Sequence, residues 1–259
     1  MSTLSVESTG HGPPLVLLHG WAMHCGVWGP LIPHLAKRWR VHAVDLPGHG
    51  HSAPLTPFTL DGIVRALAKA FAAEEATLTV LGWSLGGQVA MRWARAWPER
   101  VATLALVCTT PRFVAGDDWP HAMSRQTLVR FGDELHVAWK PTVQRFLTLQ
   151  MRGSEHGHAT LAALRHQLFA RGEPAPRALS AALDLLLTTD LRADVGSIAQ
   201  PALVVAGGRD TLTLPAAGEW LAATLPNARL ALIAGAAHAP FLSHPAAFDR
   251  ALSDFLDGR

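Results

Sequence analysis

The sequence predicts an α/β fold, a mostly parallel central sheet flanked by helices with an inserted helical cap, and three observations carry that expectation. Short apolar runs bounded by Gly, Pro or Asp alternate with longer helix-like stretches at both ends of the chain, which is the rhythm of βαβ units. From Arg112 to Leu191 the rhythm stops: no β-branched run occurs, and a helical pattern interleaved with aromatic and Arg residues replaces it. No period of roughly 20–50 residues repeats. No low-complexity linker divides the 259 residues either, so core (1–111 and 192–259) and cap (112–191) are read as one folding unit.

Strands are expected at Leu15–Leu18, Val41–Asp45, Leu78–Gly82, Leu104–Cys108, Ala202–Ala206 and Leu230–Ile233. These runs are short and apolar throughout, as strands buried on both faces must be. Helices are expected over 27–37, 60–73, 85–96, 216–224 and 246–256. Pro215 and Pro245 stand where the last two begin, at a position whose N–H would be unpaired in any case.

Composition narrows the class. Hydrophobic residues make up 49% and charged residues 16%, the balance of a well-buried globular chain. The formal net charge is +2, from 19 Arg and 3 Lys scattered among 20 acids, so no basic tract points to nucleic acid or to an anionic membrane. Two cysteines, Cys25 and Cys108, make no disulfide framework and belong to no CxxC or Cys/His spacing, and are read as buried thiols; no metal or cofactor motif is present. The start MSTLSVESTGHG lacks a basic stretch followed by an apolar one, and 18 apolar residues never occur together. A cytoplasmic monomer is expected.

The strongest local signal is Gly82-Trp83-Ser84-Leu85-Gly86-Gly87, a G-x-S-x-G between an apolar run and a helical stretch. In that strand-turn-helix context the serine occupies a sharp turn that exposes its hydroxyl, and the glycines remove Cβ atoms that would collide with neighbouring strands. The competing reading is an ordinary serine helix cap. A serine hydroxyl is a weak nucleophile until a base takes its proton, and this arrangement places acid and histidine later in the chain. His238, just after the last expected strand, is the base; Asp210, in the turn after Ala202–Ala206, is the acid that orients it. His19, His49, His51 and His244 are read as structural or surface groups. Oxyanion donors are the backbone amides of Leu85, next to the nucleophile, and of Trp21, which follows Leu15–Leu18 through His19-Gly20.

These residues place the chain's likeness in the α/β-hydrolase superfamily over nearly its whole length, and several segments are similar to a narrower group. They are Leu17-Leu-His-Gly-Trp21, Val44-Asp-Leu-Pro-Gly-His-Gly-His-Ser52, Gly82–Gly87, Asp117-Asp-Trp-Pro120, Arg145-Phe-Leu-Thr-Leu-Gln150, Thr189-Asp-Leu-Arg192 and His238-Ala-Pro-Phe-Leu-Ser-His-Pro245. The pairing of Gly-Trp-Ser-Leu-Gly-Gly with His-Ala-Pro-Phe-x-Ser-His-Pro resembles the pimeloyl-acyl-carrier-protein methyl ester esterases of biotin synthesis. The resemblance implies a cofactor-free serine carboxylesterase whose partner is an acyl carrier protein bearing the pimeloyl methyl ester, with small esters as further substrates. It implies Trp83 and Phe146 in the acyl pocket and carrier-protein docking by Arg145 and Lys140 on the cap. Without it, the triad alone also fits a broad short-chain carboxylesterase or a carbon–carbon bond hydrolase of ring-fission products. A non-catalytic ligand-binding relative would be expected to have lost one of the three residues.

Overall fold

A computed structural model describes residues 4–258. The chain runs β1 (Val6–Thr9), β2 (Pro14–Leu18), a 3-10 turn (Cys25–Trp28), α1 (Ile32–Leu35), β3 (Arg40–Val44), α2 (Leu60–Ala70), β4 (Leu78–Trp83), α3 (Leu85–Ala96) and β5 (Val101–Val107). Three helices follow: α4 (Arg125–Gln150), α5 (Gly157–Leu168) and α6 (Pro176–Thr188). The chain then closes with α7 (Arg192–Val195), β6 (Ala202–Gly207), α8 (Pro215–Thr224), β7 (Ala228–Ile233), α9 (Pro240–Ser243) and α10 (Pro245–Asp257).

The sheet has seven strands in the order β1-β3-β2-β4-β5-β6-β7, parallel except for β1. All six expected strands are present, with bounds that move by up to three residues. The added strand, β1, was not anticipated because it is an edge strand that pairs with β3 alone and is largely exposed, so no apolar run marks it. The helix expected over 27–37 is instead a 3-10 turn and the single turn α1. Gly29, Pro30 and Pro33 account for the break, since proline supplies no N–H to a continuous helix.

Strand order positions the site. From β2 the chain goes to β3 on one side and then crosses back to β4 on the other, so the connections diverge between the carboxyl ends of β2 and β4. A crevice opens at such a switch point. Trp21 follows the first of these strands and Ser84 the second. Strands β2 and β4 are fully buried, and their side chains join a hydrophobic cluster with those of α3, α4 and α10.

Helix α4 is bent. Ala138 leaves helical geometry at φ −152°, ψ 71°, three residues before Pro141, whose ring and missing N–H prevent a regular ladder there. The Thr142 hydroxyl donates to the Ala138 carbonyl at 2.8 Å. Helices α4–α6 are tied to the loops of the sheet: the Trp21 indole N–H donates to the Leu179 carbonyl at 2.9 Å, His24 Nε2 meets the Gln167 carbonyl at 2.6 Å, and the His238 amide donates to the Gln150 carbonyl at 3.2 Å. These contacts set α4–α6 against the loops that follow β2 and β7.

Candidate active site

Ser84 lies at φ 56°, ψ −117°, a strained conformation for a residue with a Cβ. The strain is held by the surroundings. The Ser84 amide donates to the Val107 carbonyl at 2.9 Å, and its own carbonyl accepts from the Thr109 hydroxyl at 2.7 Å and the Gly87 amide at 2.9 Å. Ser84 occupies the N-cap position of α3 but makes no side-chain cap hydrogen bond, so the helix does not use its hydroxyl. The flanking glycines are required by space: a Cβ on Gly82 would lie 2.3 Å from the Gly86 carbonyl oxygen, and one on Gly86 would lie 2.2 Å from that of Leu18.

His238 and Asp210 are fully buried and joined, with Nδ1 to Oδ2 at 2.7 Å. Since a carboxylate only accepts, Nδ1 carries the proton and Nε2 of the neutral ring presents a lone pair. Nε2 has no hydrogen-bond partner among the described residues, and no hydrogen bond joins it to Ser84 Oγ in this arrangement. Such contacts commonly form only once substrate is bound. The Leu212 and Thr213 amides donate to Asp210 Oδ1 at 2.8 and 3.1 Å, which aims Oδ2 at the histidine.

The Trp21 and Leu85 amides have no acceptor among the described residues, as oxyanion donors require. Gly20 brings the first loop against the nucleophile: a Cβ there would lie 3.3 Å from the Ser84 Cβ. Trp83 is fully buried in an aromatic cluster with Trp28 and Phe241, and its indole N–H donates to the His238 carbonyl at 2.7 Å. Phe146 packs edge-on against Trp21 with ring centres 4.7 Å apart, so α4 covers the loop after β2 directly. Arg145 is half-exposed, lies 4.9 Å over the Phe131 ring and pairs with Glu134; Lys140, also half-exposed, pairs with Glu173.

One participant escaped sequence reasoning. The Thr213 hydroxyl donates to Asp210 Oδ2 at 2.6 Å, the same oxygen that receives His238, and it is 3.4 Å from His238 Nδ1. Only the Asp-x-x-Thr spacing could have signalled it, and that spacing is too common to single out. Thr213 is a positioning residue for the acid. Hydrogen bonds to charged groups contribute about 1.5–3 kcal/mol. Thr213→Val is therefore expected to lower kcat by about tenfold or more with KM little changed. Thr213→Ser should restore most of the loss, and a serine variant as slow as the valine one would contradict the role.

The loop after β2 is buttressed by His19. Its Nδ1 lies 2.8 Å from the Gly20 carbonyl, and its Nε2 accepts from the Leu46 amide at 2.9 Å, which requires the neutral ring. Burial, with His49 beside it, pushes its pKa down to about 3. Burial also lowers His49, His24 and His42. Below the ordinary histidine range near 6.5 the unfolded chain takes up protons that these folded sites refuse. Stability is thus complete above that range and is lost as pH falls below it, by about 1.4 kcal/mol per pH unit for His19 down to about pH 3, with the other three adding in the same direction. Urea midpoints measured from pH 7 down to pH 4 should decline progressively, and a constant midpoint would contradict the buried neutral histidines.

Fold and site together define a class: a serine on a strained strand-to-helix turn of a doubly wound sheet, with a buried His–Asp pair on the later loops. Residues 13–245 match the alpha/beta hydrolase fold family, and the chain belongs to it. Within it, the chain is 48% identical over 255 residues to the pimeloyl-[acyl-carrier protein] methyl ester esterase of Xanthomonas axonopodis pv. citri, covering 98% of both chains. It is 46% identical over 254 residues to the protein of the same name from Chromobacterium violaceum, again covering 98% of each. Among solved structures, an esterase from Exiguobacterium antarcticum shares the fold at a TM-score of 0.91 and 21% identity, over 99% of this chain and 96% of that one.

Proposed function

We propose that this chain hydrolyses the methyl ester of pimeloyl-acyl-carrier protein, through an acyl-enzyme on Ser84. The observation that carries the chemistry is the buried His238–Asp210 pair with its unprotonated Nε2 on the loop hydrogen-bonded to Trp83, the residue before Ser84. Full-length likeness to esterases of that name supports the substrate. In the first half-reaction His238 Nε2 takes the Ser84 proton as Oγ attacks the ester carbonyl, and the amides of Leu85 and Trp21 receive the developing oxyanion. Collapse expels methoxide, which leaves as methanol with the proton from His238. Water, deprotonated by the same nitrogen, then attacks the acyl-enzyme and releases the free pimeloyl carboxylate on its carrier. The protein's own residues supply every proton transfer in this scheme.

Helices α4–α6, within residues 112–191, act in this reading as the cap that closes over the acyl chain at Phe146 and Trp83. The carrier protein is met by Arg145 and Lys140 on the outside. No helix among the described residues is long and apolar enough to cross a membrane. The reading is of a cytoplasmic monomer that works on a soluble carrier.

Substrate and docking are tested together. Because Glu134 already sits against Arg145, neutralisation is a cleaner variant than charge reversal. Arg145→Gln is expected to raise KM for the carrier-bound methyl ester several-fold and to make it less salt-sensitive, since rim charges act chiefly on association. Dimethyl pimelate hydrolysis should stay near wild type. Equal loss on both substrates would make Arg145 a structural residue of the cap, and no hydrolysis of the carrier-bound ester by wild type would exclude the proposed substrate.

A further inference from the structure

A second group of polar side chains gathers outside the site just described. Glu155 and His156, in the turn between α4 and α5, meet His244, the residue between α9 and α10, with one donor atom from each within 4.8 Å of the others. The group joins the cap to the loop that carries His238.

The orientation of His244 is set by its neighbours. Its Nδ1 is 2.9 Å from the Ser243 hydroxyl oxygen, and that hydroxyl donates to the Ala239 carbonyl at 3.2 Å. When the hydroxyl keeps its proton on the Ala239 carbonyl, Nδ1 is the donor and the neutral ring carries its lone pair on Nε2. That atom is enclosed, has no hydrogen-bond partner among the described residues, and lies 3.7 Å from Glu155 Oε2. A lone pair facing a carboxylate oxygen is repulsive, and a cation between them removes the repulsion. The other carboxylate oxygen, Oε1, is held by Arg209 at 3.0 Å, which leaves Oε2 free to ligate.

The third donor is His156, whose ring centre is 5.1 Å from that of His244. Space for the carboxylate depends on Gly235, where a Cβ would lie 2.5 Å from Glu155 Cδ. The backbone is fixed as well, through the Glu155 amide donating to the Gly235 carbonyl at 3.2 Å.

We propose that Glu155, His156 and His244 form a binding site for a zinc-type divalent ion that clips the cap to the core. Two imidazoles and a carboxylate suit zinc, and the Ser243 contact to Nδ1 is the kind of outer partner that orients a ligating histidine. Tetrahedral zinc at about 2.0–2.2 Å from each donor places the donors about 3.3–3.5 Å apart, so closure takes movements of about 1 Å in side chains. Both Glu155 and His156 are exposed, and Glu155 can turn Oε2 while Oε1 stays with Arg209. Solvent fills the fourth position. Since the three ligands are not reacting groups of the hydrolytic site, the proposal stands apart from the esterase reading.

The test is titration of the chelator-treated full chain with zinc chloride at neutral pH, followed by calorimetry and thermal unfolding, with cobalt(II) as a spectroscopic substitute. One ion per chain, a higher Tm and the visible band of tetrahedral cobalt are expected. Glu155→Gln and His156→Ala should each weaken zinc binding by more than about tenfold, equivalent to 1.4 kcal/mol. Their circular dichroism should be unchanged because both positions face solvent. No zinc uptake by the wild type, or equal uptake by wild type and both variants, would overturn the proposal, the latter by assigning binding to other surface histidines.

Discussion

Ser84→Ala is expected to lower hydrolysis of the carrier-bound methyl ester by about 10⁴-fold or more while leaving Tm unchanged. Two facts make the expectation sharp. The hydroxyl is not used by α3, so its removal costs the helix nothing, and alanine has the same Cβ that the strained turn already accommodates. What is lost is the oxygen that carries the acyl group in the proposed scheme. What remains is the oxyanion amides and the binding surface, which by themselves give a small residual rate. A fluorophosphonate reagent should add one label to the wild type and none to the variant, as read by intact mass. Retention of a tenth of the activity would exclude Ser84 as nucleophile.

Asp210→Asn should cost a comparable amount, about 10⁴-fold in kcat, though the shape of the side chain barely changes. Oδ1 of Asp210 accepts two backbone amides, from Leu212 and Thr213. An asparagine there must turn its oxygen toward those donors, which places its NH₂ where Oδ2 now meets His238 Nδ1 and the Thr213 hydroxyl. Two donors then face each other unless His238 moves its proton to Nε2. The base would hold a proton where it needs a lone pair. Because Thr213 can rotate its hydroxyl and the site is buried, the fold should survive, and Tm separates this outcome from unfolding. An asparagine variant within tenfold of wild type would remove Asp210 from the mechanism.

The parts of the site that were legible are those whose physical requirement is local. A strained turn after a buried strand needs glycine on both sides of the serine, and Gly82 and Gly86 announce it within five residues. Helix α3 met its expected bounds because its apolar face and preceding turn are both written in consecutive residues. Where the requirement is set from outside the segment, reading failed. Edge strand β1 takes its conformation from pairing with β3, and the bend in α4 falls at Ala138 although the visible cause, Pro141, stands three residues later. Arg145 is expected from the resemblance to dock a carrier protein, but Glu134, eleven positions earlier, is brought beside it only by the fold of α4 on either side of that bend.

The sequence by itself determined the class of this protein, because backbone strain, strand burial and the order serine, acid, histidine are properties of short segments and of their succession. Tertiary structure alone decided which atoms meet across those segments. It selected the donor pair that aims Asp210, added Thr213 to the acid, tied the Trp83 indole to the His238 carbonyl and the Trp21 indole to the cap at Leu179. It also set Glu155 and His156 against His244, nearly ninety residues away in the chain. A hydrogen bond or a metal-ligand geometry is specified to a few tenths of an ångström in space. Chain separation carries no such information, and only the packing of the cap on the sheet supplies it.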